Sequence, residues 1–194
     1  AEFPESKWVK EIVMPSPLLE RFHKREVIER AAVVLPASYE ENDRRYPAVY
    51  IIPGFGGSHR DGLRYAAAPP QPEKEETEFI RVYLSGRCKW GHHVYADSAT
   101  NGPRGESLVR EMIPHIDREF RTVAEPTARF VMGHSSGGWS SLWVQVTYPE
   151  IFGGVWSSSP DPVDFRDYQR INLYAHAPQN MYRDEKGDRR PIAR

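Results

Sequence analysis

Short apolar blocks separated by polar turn clusters run through most of the chain, and their lengths suit strands more often than helices. Residues from about Trp8 to Val13 and from Val27 to Leu35 alternate or run apolar with β-branched residues, which predicts two strands. Asn42-Asp43-Arg44-Arg45 then reads as a solvated turn. Ala48-Val49-Tyr50-Ile51-Ile52 is continuously apolar, as expected of a central strand covered on both faces, and it stops at Pro53-Gly54-Phe55-Gly56-Gly57. Ala66 to Glu76 holds three prolines and a charge cluster, so an exposed loop is expected before a strand from Phe79 to Leu84. Between Gly105 and Phe120 the period changes. Leu108, Val109, Met112, Ile113, Ile116 and Phe120 recur at helical spacing and mark one buried face, with Pro114 expected to bend the helix. Phe152 to Ser159 reads as a further strand, and beyond Pro160 the chain turns polar and irregular.

Strands alternating with helical segments imply βαβ units and an α/β fold, with a mostly parallel sheet behind an antiparallel leading pair. In such sheets functional loops gather at the carboxyl ends of the strands, so the loops after Ile52, Leu84, Met132 and Val155 should open on one edge.

One of those loops carries chemistry. Arg129-Phe130-Val131-Met132 runs into Gly133-His134-Ser135-Ser136-Gly137, a Gly-x-Ser-x-Gly motif, and then into a helical pattern from Trp139 to Val146. A serine at a sharp strand-to-helix turn needs a strained backbone, and the residues two before and two after must be small enough to let the chain pass; Gly133 and Gly137 meet that need. The helix that follows leaves unpaired N–H groups and a positive dipole end beside the Ser135 hydroxyl, where an oxyanion would form.

Composition narrows the remaining choices. A chain of 194 residues with a mass of 22.3 kDa fits one domain with a sizeable core. Net charge is −1 with no basic stripe, so nothing recommends nucleic acid as a partner, and no apolar run is long enough for a membrane span. Mean hydropathy of −0.65 is polar for this fold class, which leaves the 12% aromatic residues to supply an aromatic-rich core. Cys88 is the only cysteine; it has no disulfide partner within the chain and no zinc-site spacing around it, so a buried thiol is expected and no metal or other cofactor is called for. The chain begins Ala1-Glu2-Phe3-Pro4 without Met, which fits either signal cleavage and a secreted or periplasmic protein or a trimmed cytoplasmic one. Oligomeric state is not legible.

The ordered set of motifs resembles the esterase D and enterochelin-esterase-like branch, the putative esterase family, of the α/β-hydrolase superfamily. It is carried by Arg45-Tyr46-Pro47-Ala48-Val49-Tyr50-Ile51-Ile52-Pro53-Gly54-Phe55-Gly56-Gly57, by Gly91-His92-His93-Val94-Tyr95-Ala96-Asp97-Ser98-Ala99-Thr100-Asn101-Gly102-Pro103, by Glu111-Met112-Ile113-Pro114-His115-Ile116-Asp117 and by the elbow itself. The resemblance implies an α/β-hydrolase fold with helices on both faces and a serine esterase acting on a small-molecule ester. It makes Ser135 the nucleophile and the Ser136 and Phe55 backbone N–H groups the oxyanion donors. Where the family often has His before the first of these glycines, this chain has Pro53, which leaves the Phe55 amide intact. The family order of Ser, then Asp or Glu, then His excludes His92 and His93 as bases, so both are expected to line a pocket or pack, and His134 to turn its ring away from the Ser135 hydroxyl.

The same comparison implies that the acid and the His of the triad lie beyond Arg194, along with the family's last strands and helix. Residues 1–194 are therefore expected to be one hydrolase domain, the N-terminal portion of a longer enzyme. Substitutes within the chain would have to come from Asp161, Asp164, Asp167 and His176. A hydrolase-fold binding module without catalysis, and an acyltransferase using the same elbow, are the alternatives.

Overall fold

Six strands form one twisted sheet in the order β1-β2-β4-β3-β7-β8, seen in a computed structural model that describes residues 2–70, 77–166, 172, 174, 182–184, 186–190. They are β1 (Val9–Pro15), β2 (Ile28–Val34), β3 (Ala48–Ile52), β4 (Ile80–Leu84), β7 (Arg129–His134) and β8 (Gly154–Ser158). β1 and β2 pair antiparallel, β2 pairs antiparallel with β4, and β4, β3, β7 and β8 run parallel. The leading pair and the parallel block are those the sequence pattern predicts. Each strand lies within two residues of its expected bounds. A two-stranded hairpin, β5 (Arg87–Cys88) with β6 (Gly91–His92), stands apart from the sheet. Residues Ala1–Pro160 and Asp161–Arg194 form two compact units.

One face of the sheet carries the helices. Tyr46, Tyr50, Tyr95 and Phe152 pack there with Leu108, Met112, Ile113 and Ile116, so the core is as aromatic as the composition requires. Full burial of each large apolar side chain contributes about 1.5–3 kcal/mol. The helical run expected around 105–120 is three joined pieces: α2 (Arg104–Ser107), a π turn (Leu108–Met112) and α3 (Ile113–Glu119). In an unbroken α-helix Pro114 would orphan a carbonyl one turn back and clash with it. The π turn takes up the mismatch, with the Ile113 N–H bonding to the Leu108 carbonyl. No sharp break is needed.

On the other face the cover is a 3₁₀ helix, His59–Tyr65, whose Leu63 and Tyr65 pack with Val9, Ala32, Val34 and Tyr83 over β1, β2 and β4. Among the described residues that cover does not reach across β3. Val49 and Ile51 are therefore only half-buried, whereas Ala48, Tyr50 and Ile52 are buried, and β3 is not sealed on both faces as its apolar run suggests.

Helix α1 (Pro17–His23) is absent from the hydrophobic pattern because it is short and is held from its end. Ser16 caps it, accepting from the Leu19 N–H, while Glu111 of the π turn accepts from the Leu18 N–H at 2.9 Å and from the Ser16 hydroxyl at 2.5 Å. A carboxylate there also meets the positive end of the helix.

Candidate active site at the nucleophile elbow

Arg129, at the foot of β7, donates to Asp117 at 2.7 Å and to the Ile151 carbonyl at 3.1 Å, which ties the elbow strand to the end of α3. β7 lies between β3 and β8, with Gly133 opposite Ile52 and Ser157. Immediately after it Ser135 takes φ 58° and ψ −128° and remains half-buried. This is a region L-residues rarely enter, and the surroundings must hold it there. Its own peptide supplies part of the hold: the Ser135 N–H donates to the Ser158 carbonyl and its carbonyl accepts from the Trp139 N–H, both at 3.1 Å.

The glycines around it are compelled by contact. A Cβ on Gly133 would sit 2.1 Å from the Gly137 carbonyl oxygen, and one on Gly137 would sit 2.2 Å from the Ile52 carbonyl oxygen. Helix α4 (Ser136–Thr147) starts at the next residue, so its first N–H groups have no intrahelical acceptor. The Ser136 N–H makes no hydrogen bond to any described residue.

The loop after β3 comes to the same place. Gly54 to Gly57 form a β-turn closed by the Gly57 N–H on the Gly54 carbonyl at 3.0 Å, with Gly56 at φ 78° in the position that needs a glycine. Gly54 faces the elbow directly, since a Cβ there would lie 3.1 Å from the His134 carbonyl oxygen and 3.6 Å from the Ser135 Cβ. Phe55 follows with its side chain 81% exposed and its N–H bonded to no described residue.

The histidines are distributed elsewhere. His134 points along the sheet, its Nδ1 3.4 Å from the Ser158 Oγ on β8. His92 packs its ring onto Gly86 and beside the Phe55 ring, at 5.9 Å between centroids, and both its ring nitrogens are buried without a partner. His93 is buried against Tyr95. Burial pushes both imidazoles below their ordinary value, and for His93 the charges of Arg104 and His92 add to the effect. Among the described residues, no side chain hydrogen-bonds the Ser135 hydroxyl. In the second unit Asp161 is exposed, and Asp164 is engaged by Arg166, whose Nε lies 2.8 Å from one carboxylate oxygen. That hydrogen bonding holds the Asp164 carboxyl down at about 2. Asp167 and His176 lie outside the described residues.

Cys88 departs from expectation. It sits half-buried in the β5–β6 hairpin, Sγ 3.8 Å from Asn101 Oδ1, because a two-residue hairpin outside the sheet has no second layer to cover it. Two buried charges were not legible in the sequence. Glu29 and Arg104 are buried together, although Glu29 sits in a strand pattern where a charged residue reads as solvent-facing. Among the described residues, no helix is long and apolar enough to cross a membrane.

Comparison with known proteins agrees with this architecture. The family described as "Putative esterase" matches residues 28–182, and the chain belongs to it. The fold is that of the α/β-hydrolases. An uncharacterised protein of Bacillus subtilis is 27% identical over 139 residues, 67% of this chain and 56% of that protein. An esterase of Mycobacterium tuberculosis is 29% identical over 155 residues, 74% of this chain and 32% of its own length. Among solved structures, a ferulic acid esterase superposes with a TM-score of 0.63 at 21% identity, covering 80% of this chain and 60% of that one. The enterobactin esterase of Shigella flexneri superposes with a TM-score of 0.51 at 18% identity, over 81% of this chain and 38% of that one. The chain thus spans about a third to three fifths of the length of the proteins it matches.

Proposed function

We propose that the protein is a serine carboxylic-ester hydrolase in which Ser135 forms an acyl-enzyme. A base takes the proton from the Ser135 hydroxyl as its oxygen attacks the ester carbonyl. The carbonyl oxygen, now negative, is held by the Phe55 and Ser136 amide N–H groups, and the alcohol leaves with the proton as the C–O bond breaks. Water then repeats the sequence on the acyl-enzyme, releasing the acid. Each amide donor in such a hole is worth about 3–4 kcal/mol of transition-state stabilisation. The proposal takes the imidazole base and its carboxylate from outside the described residues, beyond Arg194 as the family resemblance implies.

The observation that carries this reading is the strained backbone of Ser135 at the head of α4, with the Gly54 turn set against it. A structural turn would relax to glycine at that position; a serine is kept there for its hydroxyl. The test is labelling of the full-length enzyme by a fluorophosphonate probe. Wild type should be labelled and Ser135→Ala should not. Equal labelling of the two proteins would overturn the mechanism.

A further inference from the structure

β2 and β4 part company at the carboxyl edge of the sheet. Ala31 and Leu84 are their last paired residues, followed by a single bond from the Ser85 N–H to the Arg30 carbonyl at 3.2 Å. Beyond it lies a cavity of about 320 Å³ lined by Glu29, Arg30, His59, Arg87, His93 and Arg104. It lies apart from the Ser135 elbow, none of whose residues line it.

Its donors outnumber its acceptors. One Glu29 carboxylate oxygen accepts from the Ser107 hydroxyl, and the other faces Arg104 across 3.7 Å. Glu11, just outside the lining, accepts from Arg30 at 3.0 Å and from the His59 Nε2–H at 2.9 Å. Two groups are left over. Arg104 is buried, yet its Nη1 stands 3.7 Å from Glu29, too far for a hydrogen bond, and only its Nε is bonded, to the Asn101 carbonyl. His59, 6% exposed, lines the wall with its one N–H given to Glu11. Arg87 is exposed and makes no ion pair among the described residues. Two guanidinium groups around one small cavity lack a shared acceptor, and an arginine fork matches the geometry of an oxyanion.

We propose that this cavity is a binding site for a small oxyanion, a carboxylate or a phosphate, held between Arg87 and Arg104. His59, in the cavity wall, lies two residues past the turn that presents Phe55, so an anion there braces the segment leading out of that turn. A cation does not fit, because three arginines line the cavity against one glutamate.

The test is a titration of the protein with sodium phosphate and, separately, sodium acetate at constant ionic strength, followed through the His59 imidazole NMR resonance. His59→Gln assigns that resonance. A saturable shift with either salt is expected, and the salt that produces it distinguishes a phosphate site from a carboxylate site. Arg87→Glu should weaken the binding by about tenfold or more, since it replaces a charge-assisted donor with a like charge. Arg87 is exposed and pairs with no described residue, so this variant keeps its fold, and Arg87→Gln should fall between it and wild type. Shifts that fail to saturate with both salts, or equal affinity in wild type and Arg87→Glu, would overturn the proposal.

Discussion

Gly54 and Ser135, 81 positions apart in the sequence, touch: a single methyl added to Gly54 would lie 3.6 Å from the serine's Cβ and 3.1 Å from the carbonyl just before it. The turn after β3 and the elbow after β7 are thus one assembly. Gly54→Ala is expected to push the turn away by a few tenths of an ångström. Small displacements of reacting groups are costly, so fluorophosphonate labelling should slow by about tenfold while unfolding stability falls by about 1 kcal/mol or less. Unchanged labelling rates would separate the turn from catalysis.

Gly137→Ala should behave differently, because its Cβ would meet backbone at 2.2 Å from the Ile52 carbonyl oxygen and 2.9 Å from the Pro53 carbonyl carbon. Neither atom can rotate aside. Urea unfolding should show a loss of about 3 kcal/mol, and a loss below about 1 kcal/mol would mean that α4 can shift without penalty.

Ser135→Gly is expected to abolish labelling and yet raise stability by about 1 kcal/mol, since glycine enters φ 58° without the steric cost that serine bears. Ser135→Ala keeps a Cβ and should leave stability nearly unchanged. A pair of melting curves for the two variants checks the difference.

Stability should fall with acid because of His93. Burial holds its folded-state pKa well below the ordinary 6.5, so the unfolded chain takes up a proton that the folded one refuses. The contribution is full above pH 6.5 and is lost as pH falls from there toward the folded-state value. His59 and His92 are also lowered by burial and act in the same direction. Urea midpoints measured between neutral and mildly acidic pH should decline with a slope of up to about 1.4 kcal/mol per pH unit for each such histidine. His93→Gln should flatten it.

The elbow and most of the sheet were legible because their signals are local: a glycine two residues either side of Ser135, and apolar runs at Ala48–Ile52 and Arg129–His134. What escaped depends on residues distant in sequence. Helix α1 rests on Glu111, more than ninety positions away, and its own seven residues are too few to show a period. The π turn before Pro114 reconciles a proline with a buried helical face, and the spacing of Leu108 to Ile116 looks the same with or without it. Glu29 and Arg104 read as surface charges until β2 and α2 are brought together. Half-burial of Val49 and Ile51 follows from how far a neighbouring 3₁₀ helix reaches, which no strand pattern contains.

The backbone-to-backbone packing of Gly133, Gly137 and Gly138 also restricts the lineage. A Cβ at any of the three would come within 2.7 Å of another main chain, so no single codon change to a larger residue is neutral there. Reversal would require two strands and a helix to move in one generation. Substitutions at exposed positions such as Phe55 and Trp90 meet no comparable steric bar.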